Sequence, residues 1–331
     1  MTTTPGPPHD ALHGALATIA PGTPLRDGIE RIVRAKMGAL LILGDGPDVL
    51  AICSGGFLLD APFSPQRLSE LAKMDGAIIL GSRGQRLARA NVHLVPDPSV
   101  PTSETGTRHR TAERVARSIP VPVVSVSEEM GVITVYAGGM KHQLQDIGRL
   151  VDRANQALQT LERYKVRLDD TLANLTALEL EGMATIRDVA SVVQRGEMVR
   201  RISAEIETMI VELGVDARLL RLQVDEVYGE INHELELVLA DYPLIANNWA
   251  GHGLHGDSPA TPRGSRLLTR VPHITPALSA AIVERFGDLA SLQRATIAEI
   301  AEVEGLDLEM ATAVKETIDR VTEASILDQY A

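Results

Sequence analysis

The chain has 331 residues, with 32 Lys and Arg against 44 Asp and Glu, a net charge of -12, one cysteine and 3% aromatic residues. The length allows two or three domains that each bury a core, while the acidic balance excludes wholesale coating of nucleic acid and the few aromatics exclude a stacking platform for single strands. The lone Cys53, in an apolar run, excludes an intrachain disulfide and fits a reducing cytoplasm; no apolar run is long enough to span a membrane, and the Pro- and Thr-rich start, Met1 to Asp10, reads as a frayed tail rather than a signal peptide.

From about Asp10 to Gly148, helix and strand signals alternate. Thr23 caps a helix through Lys36, with Leu25, Ile29, Ile32 and Val33 on one face. The apolar runs Ala39 to Leu43 and Val49 to Cys53, joined by Gly44-Asp45-Gly46-Pro47, predict a hairpin. Ser64-Pro65 opens a helix to Lys73, with proline at the first helical position. Ile78 to Leu80 is a strand, Gly81-Ser82-Arg83-Gly84 a turn and Ala90 to Val95 another strand. A helix from Arg108 to about Ser118 precedes strands Val121 to Val126 and Val132 to Tyr136, completing a mixed sheet that is apolar enough to be covered on both faces.

Two stretches of this first domain carry chemistry. In Gly106-Thr107-Arg108-His109-Arg110-Thr111-Ala112-Glu113, a glycine turn delivers two arginines, a histidine and two hydroxyls to the opening of a helix. There the unpaired amides and the positive end of the macrodipole suit polyphosphate, and guanidinium forks match its oxygens. In Asp75-Gly76-Ala77, an acid at the mouth of a buried strand is followed by residues with almost no side chain, so a ligand can lie against the backbone while the carboxylate reaches a metal ion. Neither a P-loop nor a dinucleotide glycine fingerprint is present.

The two stretches together, some thirty residues apart in an α/β pattern, resemble the signature of the diadenylate cyclase family. Ser54-Gly55-Gly56-Phe57, Asn91 to Asp97 and Ser125-Val126-Ser127-Glu128-Glu129 extend the resemblance. It implies condensation of two ATP into cyclic di-AMP at a two-fold site, one ATP per chain, with Mg²⁺ or Mn²⁺ as cofactor and an octamer as the assembly. Asp75, Arg108, His109 and Arg110 are the implied catalytic residues. Asp75 and Glu128 are the expected metal ligands; Gly76, Ala77, Leu94, Thr107, Arg108, His109, Arg110, Thr111 and Ser127 are the expected ATP contacts, with Gly76, Leu94 and Thr111 expected at the adenine.

Beyond Gly148 the pattern turns helical. Leu150, Ala154, Ala157, Leu161, Tyr164, Leu168, Leu172 and Leu175 step by three and four along a long amphipathic helix. A second helix starts at Thr185, with Ile186, Val189, Val193, Val199, Ile202, Ile206 and Leu213 inward, and a third runs from about Asp216 to Ala240. His233 and the arginines at 187, 195, 200 and 201 read as a solvated face. Residues 149–246 thus form a spine, and 247–264, with His252 and His255, a linker.

Residues 265–331 predict two helix pairs and resemble a tandem helix-hairpin-helix domain, whose amides grip the DNA backbone. Arg263, Arg266, Arg270 and Gly305 are the candidate DNA contacts. Asp307 stands where a hairpin glycine is usual, Thr275-Pro276 removes an amide, and from Arg263 onward seven Arg and Lys face eleven Asp and Glu, so DNA binding is expected to be weak; the resemblance implies branched DNA as the partner. The fold expected is therefore multidomain: a mixed-sheet α/β cyclase domain over 1–148, the spine, the linker and the hairpin domain, in a cytoplasmic, nucleoid-associated protein. The competing reading is a DNA-structure-binding scaffold whose first domain only senses a nucleotide; a pure receptor needs no metal-binding Asp75. A repair nuclease is excluded by the want of a carboxylate cluster with metal spacing.

Overall fold

Ala39–Leu43 forms strand β1, buried from Ala39 to Ile42, and most of the first domain is laid against it. The computed structural model describes residues 8–81, 84–229, 231–243 and 256–329. Two units emerge: Met1–Gln156 with Glu205–Leu222, and Ala157–Ala204 with Gln223–Ala331.

In the first unit, β1 pairs in parallel with β4 (Ala77–Leu80), Leu40 opposite Ala77, and antiparallel with β6 (Val123–Val126), Ala39 opposite Val126. Both edges of β1 are therefore filled, and the expected hairpin does not form. Gly46 and Pro47 instead start a short helix, α3 (Pro47–Ala51), and Cys53–Ser54, strand β2, pairs with β5 (Arg86–Leu94). Proline at the first helical position is preorganised for that outcome. Strand β3 (Phe57–Pro62) also pairs with β5, and β7 (Ile133–Ala137) and β8 (Met140–Gln143) complete the order β2-β5-β4-β1-β6-β7-β8. Strand β8 lacks an apolar run, and β5 begins four residues before the expected Ala90, because Arg86 and Arg89 sit within it.

Helices α1 (Pro8–Thr18), α2 (Pro24–Arg34) and α4 (Pro65–Leu71) cover one face, where Leu16, Ile29, Ile32 and Leu68 pack on Leu41, Ile78 and Leu80. Helix α5 (Thr107–Ser118) covers the other, with Ala112 and Val115 against Ile42, Ile79 and Val123. Each such large aliphatic side chain contributes roughly 1.5–3 kcal/mol by leaving water. Thr23 and Ser64 cap α2 and α4 as the sequence indicates, their hydroxyls accepting from Arg26 N and Arg67 N at 3.2 Å. Of the turn expected at 81–84, Ser82 and Arg83 lie outside the described residues.

The long helices are α6 (Ile147–Glu181) and α7 (Ile186–Leu213). Leu150, Ala154, Leu161, Leu168, Leu172 and Leu175 are buried as the periodicity requires, and Leu158 joins them. The expected third helix is two: after a turn of 3-10 helix at Gly214–Ala217, α8 (Arg218–Tyr228) ends before Gly229, and α9 covers Ile231–Asp241. Glycine costs about 1 kcal/mol in a helix interior and marks the break. His233 and Arg187, Arg195, Arg200 and Arg201 are exposed. Within the first unit, Glu212 near the end of α7 is buried and accepts from Gln145 N at 2.9 Å, with His142 Nε2 at 2.7 Å. The linker histidines His252 and His255 lie outside the described residues.

In the second unit, α10 (Ser265–Leu268), α11 (Pro276–Phe286), α12 (Leu289–Arg294), α13 (Ile297–Ala301) and α14 (Leu308–Gln329) enclose a core of Leu268, Ile282, Leu292, Ile300, Ala311 and Val314. The connections α10–α11 and α13–α14 repeat one pattern. Each has a buried valine (Val271, Val303), a left-handed residue two further on (His273 at φ 66°, Gly305 at φ 90°), a half-buried aliphatic (Ile274, Leu306) and a capping side chain. Thr275 Oγ1 accepts from Leu278 N at 3.3 Å, and Asp307 Oδ1 from Met310 N at 2.8 Å. Asp307 is thus a helix cap, and the glycine that the hairpin needs stands at 305.

Candidate active site

The strand directions decide where the functional residues meet. With β1 and β4 parallel, their first residues share an edge; β6 runs against β1 and β5 against β4, so the last residues of β5 and β6 reach that same edge. Asp75-Gly76, His93-Leu94 and Ser127-Glu128 converge there. The first turn of α5 closes the gap, leaving a cleft of about 620 Å³ lined by Asp75, Gly76, Ala77, Leu94, Thr107, Arg108, His109, Thr111, Ser127 and Glu128, together with Leu40, Val92, His93, Gly106 and Glu129.

Gly106 precedes α5 without a side-chain cap, and the first helical bond runs from Arg110 N to Gly106 O at 2.9 Å. The amides of Thr107, Arg108 and His109 therefore stand outside the ladder beside the cleft, as an anion site requires. Close backbone approach explains two glycines. Gly76, at φ 101°, would bring a Cβ to 2.9 Å from the Asn91 carbonyl carbon, where β5 kinks at a left-handed asparagine, φ 55°. A Cβ on Gly38 would lie 2.0 Å from Arg108 Nη1, so the guanidinium rests on bare backbone just before β1.

His109 is half-buried and tied to a chain of polar groups. Its Nδ1 lies 3.1 Å from Tyr136 Oη, which donates to Glu104 Oε1 at 3.0 Å; Lys141 Nζ holds the same oxygen at 2.5 Å. Burial raises the Glu104 carboxyl, but the bonds from Lys141 and Tyr136 outweigh it and leave its pKa below the ordinary value. Burial, assisted by the bond to Glu104, pushes the Tyr136 phenol far above its usual range. Burial also lowers the His109 pKa, with Lys141 and Arg108 pushing the same way and Glu104 opposing. The loop carrying Glu104 is clipped to α5 by buried Glu113, which accepts from Thr102 Oγ1 at 2.6 Å and Ser103 N at 3.0 Å and pairs with Arg117 at 2.7 Å.

Arg110 departs from expectation. It is exposed and does not line the cleft of its own chain, because one residue of helix swings a side chain by about 100° from its neighbour. The hydroxyl of Thr111 is engaged with Thr107 O at 3.0 Å. Glu104 and Tyr136 were missed. Glu104 gives no signal in an irregular stretch, whereas a tyrosine at the end of the aliphatic run Val132 to Tyr136 needs a partner for its hydroxyl and could have been singled out.

Asp75, Glu128 and Glu129 supply exposed carboxylates to the cleft, and among the described residues no group of three or more acids, histidines or cysteines clusters tightly enough to cage an ion. Such a donor set fits a divalent ion that takes one or two carboxylates and completes its shell with substrate phosphates and water.

At the other candidate site, Arg263 and Arg270 are exposed and Gly305 is at the surface, but Arg266 is not available to DNA. It is 2% exposed, and its guanidinium pairs with Glu179. Tyr242 Oη donates to the other Glu179 oxygen at 2.6 Å, while Asp241 accepts from Ser265 N at 2.6 Å and Arg266 N at 3.1 Å. Burial, more than any partner, pushes the Glu179 and Asp241 carboxyls up. The residue type and its basic neighbours suggested DNA; nothing local foretold that α10 would bury it.

Two family profiles match the chain: "DisA bacterial checkpoint controller nucleotide-binding" over residues 26–141 and "DisA bacterial checkpoint controller linker region" over residues 144–248. The DNA integrity scanning protein DisA of Kineococcus radiotolerans is 47% identical over 354 residues, covering 98% of this chain and 98% of that protein. The protein of the same name from Frankia alni is 46% identical over 357 residues, covering 98% and 99%. A crystal structure of DacA from Staphylococcus aureus is 24% identical, with a TM-score of 0.30 over 39% of this chain and 86% of that one.

Proposed function

The chain belongs to the DisA family of bacterial checkpoint controllers, and from that premise we propose that it is a diadenylate cyclase, a nucleotidyltransferase that converts two ATP into cyclic di-AMP and two pyrophosphates and also engages DNA. One observation carries the site assignment: three segments distant in sequence, around Asp75, Thr107 to Thr111 and Ser127 to Glu128, line a single cleft at one sheet edge.

In each half-reaction a 3′-hydroxyl oxygen bonds to the α-phosphorus of the other ATP, the bond to pyrophosphate breaks, and the hydroxyl proton leaves. Such chemistry rests on positioning and charge neutralisation. The free amides of the α5 opening, with Arg108, hold the phosphates. Gly76, Leu94 and Thr111 border the adenine, and Ala77, Thr107 and Ser127 add contacts. Asp75 and Glu128 would hold the divalent ion, Mg²⁺ or Mn²⁺, which when bound neutralises phosphate charge and lowers the pKa of a coordinated hydroxyl. Arg110, exposed beside the cleft, reaches the nucleotide of a partner chain across the two-fold axis.

A cyclic product from two identical nucleotides needs two clefts face to face, so a single chain cannot finish the reaction, and closed symmetry supplies the pairing, up to an octamer. Arg263, Arg270 and Gly305 meet the DNA backbone, weakly and with preference for branched forms. Among the described residues no helix is long and apolar enough to cross a membrane, which is compatible with a cytoplasmic protein at the nucleoid.

The test is random pairing of wild-type and Asp75→Asn chains expressed equally. About a quarter of paired sites would then be wholly wild type, so ring formation should fall to roughly a quarter, with linear triphosphorylated dinucleotide from mixed pairs. Half the wild-type rate with no linear product would mean that each chain works alone.

A further inference from the structure

Resting on the assignment of this cleft to ATP, we propose that Lys141, Glu104 and Tyr136 form a relay that fixes His109 as the tautomer protonated at Nδ1, so that its Nε2 meets the nucleotide as a hydrogen-bond acceptor for a ribose hydroxyl and not as a donor to phosphate.

An ionised carboxylate only accepts, and Glu104 takes hydrogen bonds from Lys141 Nζ and Tyr136 Oη on one oxygen. Tyr136 has a single hydroxyl proton, which is spent on Glu104. Its oxygen therefore faces His109 Nδ1, 3.1 Å away, as an acceptor, and the proton of that contact belongs to the imidazole. In a neutral ring the other nitrogen is then bare. The ring is neutral near pH 7 because burial, Lys141 and Arg108 disfavour its charge more than Glu104 favours it. Those are the charged and titratable groups around it on α5, β7, β8 and the 104 loop; Asp75, Glu128 and Glu129 line the cleft with it.

A bare nitrogen against a phosphate oxygen would set two acceptors face to face. ATP offers donors only at its ribose hydroxyls and its adenine amine, and the adenine is assigned to Gly76 and Leu94. A ribose hydroxyl remains. The charge on the phosphates then falls to Arg108, the amides and the metal. Glu113 belongs to the same device, since it clips the loop that presents Glu104 to Tyr136.

The test uses the full-length protein with ¹⁵N-labelled histidine, where long-range ¹H–¹⁵N correlation reads the tautomer of His109, assigned with His109→Gln. In parallel, calorimetry compares the α,β-methylene analogue of ATP, which cannot be turned over, with its 2′-deoxy and 3′-deoxy forms. Expected are the Nδ1-protonated tautomer and an affinity loss of about three- to tenfold on removing one of the hydroxyls, the worth of one net hydrogen bond. In Tyr136→Phe the ring should turn toward the Nε2-protonated form and the loss should vanish. Glu104→Gln, which leaves the core untouched, should weaken both signals and serves if Tyr136→Phe does not fold. A wild-type ring protonated at Nε2, a charged ring at neutral pH, or the same hydroxyl dependence in wild type and variants would overturn the proposal. Absence of cyclic di-AMP from wild-type protein with ATP and Mn²⁺ would instead sink the cyclase reading and leave the tautomer where the spectrum puts it.

Discussion

Arg108 and Arg266 are treated in opposite ways. Arg108 lies half-buried on Gly38 at the cleft, with no carboxylate paired to it among the described residues. Arg266 is sealed in the second unit against Glu179, with its Nε and Nη1 lacking protein partners. A cation left unneutralised beside free helix amides is available to a phosphate; a cation enclosed with an acid and a tyrosine is spent on holding α10 to the end of α6. An arginine beside a hairpin is therefore not a DNA contact by position alone.

The largest effect is expected from Arg266→Ala, which strands Glu179 without its counter-charge. We expect a loss of about 3–5 kcal/mol in urea unfolding of the second unit, the usual consequence of removing one half of a buried pair. A change under 1 kcal/mol would mean the cluster is not a joint. Arg108→Ala should do the reverse, with cyclase turnover falling about 10²–10³-fold while the melting temperature stays within a degree or two. Stability lost in step with activity would make it structural.

Gly38→Ala tests the seat of Arg108 without touching a charge. A methyl 2.0 Å from Nη1 must push the guanidinium aside, and we expect turnover to fall about tenfold or more, since small misplacements of positioning groups are expensive. Wild-type rates in that variant would show that Arg108 has no need of its seat. The acid limb of turnover supplies a smaller effect. Protonating His109 removes its acceptor, and because burial lowers its pKa below the ordinary 6.5, the decline in rate should be centred below pH 6.5. A decline centred above pH 7 would contradict a neutral, buried ring.

The smallest effect is at Asp307. Because its carboxylate caps α14, Asp307→Ala should cost about 1 kcal/mol and Asp307→Gly only a few tenths, while Asp307→Gly tightens low-salt DNA binding by removing a repelling charge. Equal gel-shift affinities for wild type and Asp307→Gly would show that the hairpin face is not where DNA sits.

Much of this was legible in the residues. Thr23-Pro24 and Ser64-Pro65 announced their helices through caps and proline, the three- and four-residue steps from Leu150 gave α6, and Asp75-Gly76-Ala77 with Gly106 to Thr111 pointed to one cleft. What escaped depends on pairing at a distance. Val49 to Cys53 reads as strand by apolarity until β4 and β6 occupy both edges of β1, and Arg110 reads as Arg108 does until the helix turns it away. Tyr136 and Glu104 acquire meaning only when β7 brings the hydroxyl beneath His109. Gly38 seats a side chain seventy residues later, a relation visible only in three dimensions.

The first unit is not continuous in the chain: Glu205–Leu222 belongs with Met1–Gln156, and Glu212 accepts from Gln145 and lies against His142. A ribosome that has made the whole sheet has therefore not made everything the sheet rests on. At about 5–20 residues per second, several seconds pass between the emergence of β8 and that of Glu212. During that interval the nascent sheet waits with the partners of Gln145 and His142 still unsynthesised, so release of a finished cyclase domain is timed by the helices that follow it.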